Sequence, residues 1–288
     1  MHSWLRGVVA ATVATAALAV SGCTPSPVDG DLTGDWADFG ELTQMRPEVG
    51  ACHNGDYRAT VALGIYYQPR ECTEPHRLET AYVGTFAGET AERDSPPRQD
   101  TPAWRDTYAE CEDGAAEYLG ADFRHGRLWL GVGVPTAAAW DGGARWFRCD
   151  LMELRSNAAT PLWPESLRGA LAAGPSKLTL GCYTVTLADT GEVETMDSVD
   201  CAEPHQAEFV GVWHSDQPRY PDRQADYDRV HRGCSEVARD FVGDPPSTPL
   251  GTIFDHISDE DWDNGDRGFR CYLFSSEEDL TGSLAGDA

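Results

Sequence analysis

Two short runs hold the residues best able to do chemistry. Cys72-Thr73-Glu74-Pro75-His76 and Cys201-Ala202-Glu203-Pro204-His205 each reach a glutamate three residues after the histidine, Glu79 and Glu208. An imidazole and a carboxylate can share a metal or exchange a proton. On a helix such a pair would share a face. On the strand expected here, the two side chains point to opposite faces and cannot join one ligand set. No His-x-x-x-His adds further ligands, and the thiols are expected to be oxidised. The preferred reading is a structural histidine, hydrogen-bonded beside a disulfide, with ligand binding second and no metal.

A second pair of runs is Trp140-Asp141-Gly142-Gly143-Ala144-Arg145-Trp146-Phe147-Arg148-Cys149 and Trp262-Asp263-Asn264-Gly265-Asp266-Arg267-Gly268-Phe269-Arg270-Cys271. Strand alternation places each of Arg145 and Arg267 on one face with the Phe and Cys that follow. A cation on an apolar face needs a carboxylate partner, and Glu79/Glu208 or Glu74/Glu203 are the shared acids available. With Trp140 and Trp262, these arginines and the two His–Glu pairs form the candidate binding set. The acidic run Asp259–Asp266 invites calcium, but Asn264 and Arg270 stand where an EF-hand loop requires Gly and Glu. A solvated acidic turn is expected there.

Searches for a nucleophile fail. There is no Gly-x-Ser-x-Gly, and Lys177 is the only lysine, which excludes Ser-x-x-Lys. Gly131-Val132-Gly133 does not continue into a dinucleotide fingerprint. No catalytic residue and no cofactor are expected.

The elements that position these residues are read from the cysteines. Eight of the nine, from Cys52 to Cys271, fall into two sets of four with spacings of 20, 39, 38 and 19, 33, 37. Val49-Gly50-Ala51-Cys52 answers Leu180-Gly181-Cys182, and both sets close with Ser-Leu-x-Gly, at Ser166–Gly169 and Ser283–Gly286. This predicts a tandem duplication, with copies at 46–172 and 173–288. Each copy reads as β-β-α-β. The strands are expected around the first cysteine (Leu178–Val185 in copy two), at Glu79–Phe86 and His205–Trp213, and at Arg145–Leu151 and Arg267–Phe274; another is possible at Arg127–Val134. Trp104, Cys111, Ala115, Tyr118 and Tyr227, Cys234, Ala238, Phe241 recur at helical steps, which places helices over 103–119 and 222–242. The fold class is α+β.

Four cysteines allow three connectivities per copy. Sequential strands tend to be neighbours. That favours Cys52–Cys72, Cys111–Cys149, Cys182–Cys201 and Cys234–Cys271, each contributing about 3–4 kcal/mol by loop entropy. Each copy is expected to be stable alone.

Gly-x-Cys, Cys-x-Glu-Pro-His-x-x-Glu, a helical cysteine and Trp-Asp-x-Gly-x-Arg-x-Phe-Arg-Cys together resemble the septum formation domain family of actinobacteria, over both copies. The resemblance implies exported or surface-displayed domains and a link to cell division. It carries over no catalytic residue.

The chain of 288 residues has 22 Lys+Arg against 48 Asp+Glu, a net charge of −26, which excludes nucleic acid and anionic headgroups as generic partners. The acidity is uneven: 46–172 carries 13 bases and 19 acids (−6), and 173–288 carries 8 and 24 (−16). Met1–Gly22 reads as a signal peptide, with Arg6 before an apolar run at Gly7–Val20. Val20-Ser21-Gly22-Cys23 resembles a lipobox, so Cys23 is the expected acylation site of a lipoprotein (palmitate and a diacylglyceryl group). Residues 23–45 would form an acidic, Pro-broken tether on the extracytoplasmic face of the membrane. The expected function is a non-enzymatic envelope interaction module whose partner is an envelope protein or cell-wall component. The alternative is a ligand-binding lipoprotein holding a small molecule or cell-wall fragment between the copies.

Overall fold

The computed structural model describes residues 45–55, 57, 60–61, 68–154, 163–172, 174, 176–243 and 250–286. The leader, Cys23 and the tether up to residue 44 lie outside the described residues. In chain order the elements are β1 (Cys52–His53), β2 (Thr60–Val61), β3 (Pro69–Arg70), β4 (Leu78–Thr85), α1 (Gly88–Ala91), α2 (Pro102–Leu119), β5 (Leu128–Pro135), α3 (Ala137–Asp141) and β6 (Trp146–Glu153). Then follow β7 (Cys182–Leu187), β8 (Val193–Val199), β9 (Ala207–His214), α4 (Gln224–Val242), β10 (Gly251–Phe254), α5 (Asp259–Asn264) and β11 (Gly268–Phe274). The architecture is α+β with two sheets.

The sheets share a plan. In the first the order is β2-β5-β6-β4-β1-β3, and in the second β10-β11-β9-β7-β8. The runs β5-β6-β4-β1-β3 and β10-β11-β9-β7-β8 match strand for strand, every pair antiparallel. The sequence reading of β-β-α-β is incomplete. It passes over β8, a hairpin partner of β7 on an exposed, polar edge whose alternation is weak. It also passes over β10 and the short helices α3 and α5. The run at 259–264 is a helix, capped by Ser258 Oγ accepting from Asp261 N, where a turn was expected.

Each long helix packs its cysteine face on its own sheet. Thr101 Oγ caps α2 by accepting from Trp104 N, Pro102 opens it, and Gly120, at φ 90°, ends it in the left-handed conformation that a Cβ disfavours. The disulfides are Cys52–Cys72, Cys111–Cys149, Cys182–Cys201 and Cys234–Cys271. Those at Cys111–Cys149 and Cys234–Cys271 rivet α2 to β6 and α4 to β11, with all four cysteines fully buried in the cores.

Residues 44–288 form one compact unit. The two halves meet at the turn Phe123–His125. There the Arg124 side chain, 1 % exposed, bonds Asp122 and Glu112 of its own half and Asp266 of the other, the last with Nη2···Oδ1 at 2.6 Å. In return Arg270 donates to the Arg124 and Leu128 carbonyls at 3.0 and 2.7 Å. Gly268 must be glycine for space, since a Cβ there would collide with Arg124 Nε. Leu178, assigned by sequence to the second copy, packs into the first half's core, and Leu180 N donates to His125 O. The halves are therefore joined by buried polar and apolar contacts, which bear on the expectation that each is stable alone. A buried cation whose partners come from both sides couples them.

Replacing Arg124 by Met should leave the three acids clustered without their cation. We expect a loss of about 3 kcal/mol, the lower end for a broken buried pair because the acids retain some water. Calorimetry should show one lowered transition for the whole unit. A melting temperature equal to wild type would show that the junction contributes nothing.

Candidate functional site

His76 and Glu79 meet. His76 forms an isolated antiparallel bridge with Trp163, and the chain bends at Arg77 before β4 begins at Leu78. The bend resets the alternation on which the opposite-face argument rested. His76 Nε2 stands 3.4 Å from Glu79 Oε2, while its Nδ1 lies 2.8 Å from the Glu74 carbonyl. Nδ1 facing a carbonyl must carry a proton, and Nε2 facing a carboxylate favours a second. Burial disfavours that imidazolium, but Glu79 and the Glu74 carbonyl outweigh burial and raise the His76 pKa above its ordinary value. For Glu79 burial acts upward, and its bonds to His76, Ser166, Tyr118 and Leu167 N bring its pKa below the ordinary carboxylate value.

Glu79, fully buried, is the hub of a clasp. Ser166 Oγ donates to its Oε1 at 2.6 Å, Leu167 N to its Oε2 at 2.7 Å, and the Tyr118 hydroxyl also donates to it. The recurring Ser-Leu-x-Gly is thus a strap held by the recurring Glu. The second half repeats the arrangement. His205 bridges Leu280, its Nδ1 lies 2.8 Å from the Glu203 carbonyl, and Glu208 accepts from Ser283 Oγ and Leu284 N. Phe241 stands where Tyr118 does, at the same step from the helix cysteine, so Glu208 lacks the phenol bond.

Ligand atoms of Cys52, His76 and Glu79 lie within 4.8 Å of one another, as do those of Cys182, His205 and Glu208. The thiolate is the metal-binding form of cysteine. With each sulfur committed to a disulfide, both sets offer one imidazole and one carboxylate.

Arg145 and Arg267 do not pair with Glu79, Glu208, Glu74 or Glu203. Arg145 donates to the carbonyls of Ala91, Trp140 and Ala144 at 2.7–2.8 Å and lies over the Trp140 ring, 4.0 Å from its centroid. Arg267 donates to the Trp262 and Asp266 carbonyls and lies 3.9 Å over Trp262. Each arginine closes the short helix before it. Carbonyl oxygens and a ring face supply the negative potential that a carboxylate was expected to supply. Trp140 and Trp262 are buried beneath these cations, so all eight candidate binding residues make internal bonds or ring contacts.

The open space lies elsewhere. A cleft of about 890 Å³ runs between the halves, walled by residues 95–100 on one side and by Asp259, Glu260 and Asp263 of α5 on the other. Trp104, Val134, Ala137 and Asn264 complete its lining. Sequence reasoning missed it because its two walls lie about 160 residues apart (from 98 to 260) and neither repeats.

A family model for septum formation matches residues 49–271. The chain belongs to the septum formation family. The match opens beside the first disulfide and closes on Cys271, so all eight paired cysteines of this family member fall within it. The strap at Ser283 and Leu284 lies beyond it. No curated protein and no solved structure matches the chain.

The clasp makes a local prediction. Glu79→Gln should free the strap at Leu167, and Glu208→Gln the strap at Leu284, each at about 1.5–3 kcal/mol for charged hydrogen bonds lost. Hydrogen exchange should speed at the matching amide well beyond any change at the strap of the other half. Equal loosening of both straps by one substitution would overturn the assignment.

Beside the clasp, His53 is buried in β1 with Nε2 3.1 Å from Thr80 Oγ1. Burial, then the Arg148 guanidinium, push its imidazole down to about 3. The unfolded chain takes a proton at His53 near pH 6.5 that the folded chain refuses, so this contribution falls as pH drops from about 6.5 toward 3. His76, shifted upward, contributes fully below about 6.5 and loses its contribution as pH rises through its folded value. Imidazole NMR should show His76 titrating above 6.5 and His53 silent down to about pH 4. Titration of His53 near 6.5 would contradict the structure.

Proposed function

We propose that the protein is a non-enzymatic envelope interaction module with a part in septum formation, made of two copies of one scaffold at 46–172 and 173–288. It is tethered to the extracytoplasmic face of the membrane through lipid at Cys23. The observation that carries this reading is the fate of the reactive residues. Glu79 and Glu208 hold straps, the two histidines brace them, and Arg145 and Arg267 close helices. Side chains spent on internal bonds serve a scaffold, and what remains for recognition is surface. Family membership supports the link to cell division. The matching strand orders and the repeated clasp support the duplication.

The alternative, a ligand-binding lipoprotein, draws support from the cleft between the halves. Its walls are not the residues the sequence nominated, so the ligand would not sit on the His–Glu pairs.

Cys23→Ala should move the protein from the membrane to the soluble fraction while its melting temperature is unchanged, because the described fold begins past residue 44. A variant that stays in the membrane fraction would refute lipid tethering at Cys23. Crosslinking of the lipidated protein in its own envelope should capture a partner that a Cys23→Ala variant loses. Capture of none would count against the module reading.

A further inference from the structure

The two halves differ most pointedly at one short helix. Where α3 begins Ala137-Ala138-Ala139 before Trp140, α5 begins Asp259-Glu260-Asp261 before Trp262. Both are capped alike, by Thr136 Oγ1 and Ser258 Oγ accepting from the third residue of the helix. The helix therefore forms without the acids, and their presence in α5 has another cause. Asp261 has a structural task, accepting from Trp129 Nε1 at 3.0 Å across the junction. Asp259, Glu260 and Asp263 are exposed, make no ion pair among the described residues, and line the cleft.

The facing wall is also particular to one half. Residues 95–100 lie in the stretch where the first half has 38 residues between its second and third cysteines and the second half has 32. Pro96 and Pro97 stiffen this wall, and Asp100 adds a fourth acid against one base, Arg98. Of the lining residues, Trp104 is 2 % exposed, and its Nε1–H is buried with no acceptor among the described residues. Asn264, 7 % exposed, has its Oδ1 buried with no donor. Buried polar atoms left without partners are costly, and a donor and an acceptor on the lining of one cleft call for a ligand that offers both.

An occupant must therefore carry positive charge for the acids, an acceptor for the indole N–H and a donor for the amide oxygen. A peptide bond supplies the last two together, and a lysine or arginine side chain the first. The volume lies in the range of sites that enclose a small ligand, enough for a few residues. We propose that the cleft between the halves binds a short, basic peptide segment, with the main chain against Trp104 and Asn264 and the cationic side chains against α5. This rests on the interaction-module reading and names the chemistry its partner presents.

The test uses nitrogen-15-labelled protein spanning residues 44–288 with its disulfides formed, since that span is one compact unit. The probes are a capped pentapeptide with two lysines and its counterpart with two glutamates, at 0.15 M salt. The Trp104 indole resonance, assigned through Trp104→Phe, should shift with the lysine peptide and not with the glutamate peptide. Glu260→Gln combined with Asp263→Asn should weaken binding at least about tenfold, on the order of 1.4 kcal/mol. Glu277→Gln with Glu278→Gln, exposed acids outside the cleft, should change it less than about twofold. A silent Trp104 resonance, or equal shifts with both peptides, would overturn the proposal. Equal weakening by the two double variants would also overturn it, by reducing the effect to diffuse attraction toward an acidic chain. Any of these, with envelope crosslinking intact, removes the cleft and leaves the module reading in place.

Discussion

The junction between the halves turns on one buried cation. Arg124 sits in a short turn after α2, loses nearly all contact with water, and draws its carboxylates from its own turn, from α2 and from the far half. A guanidinium stripped of solvent is tolerable only with such compensation, and a fork of planar N–H donors can serve several acids at once. The surrounding acids raise its pKa despite burial, which would lower it. Asp266 comes from the loop between α5 and β11, so the position of α5, and with it one wall of the cleft, depends on the same contact.

Within each half the organisation is local. One disulfide rivets helix to sheet, and the other ties the β1 or β7 strand to the turn that carries the histidine. A buried glutamate then collects the strap that closes the half. The carboxylate adds to the apolar anchor that Leu167 or Leu284 gives the strap, because leaving its lone pairs dry and unbonded would cost more than ordering the segment. The two halves carry matching strand orders under different outer surfaces. The helix that carries alanines in one half and acids in the other holds the same tryptophan beneath the same arginine.

Much of this was legible in the sequence. The helix faces at Cys111 and Cys234 and the main strands follow from periodicity, and the cysteines from their spacing, because local geometry sets which residues share a face. The Ser-Leu-x-Gly repeat was visible, but its role was not, since its partner glutamate stands 75–88 residues earlier in the chain. His76 and Glu79 were separated on paper by an alternation that one bend cancels. Arg145 was expected to need a carboxylate, because the carbonyls that crowd a helix end are invisible until the chain turns back over them.

By itself, then, the sequence determined the recurring cysteine spacings and motifs, the class of fold and the excess of acid in the second half, all of which are written in composition and spacing. Tertiary structure alone decided that Arg124 would lock the halves together and that the excess acid would face residues 95–100 across a cleft. Both depend on how two sheets dock. Docking is set by a few contacts between segments 50 or more residues apart, where no local periodicity carries information.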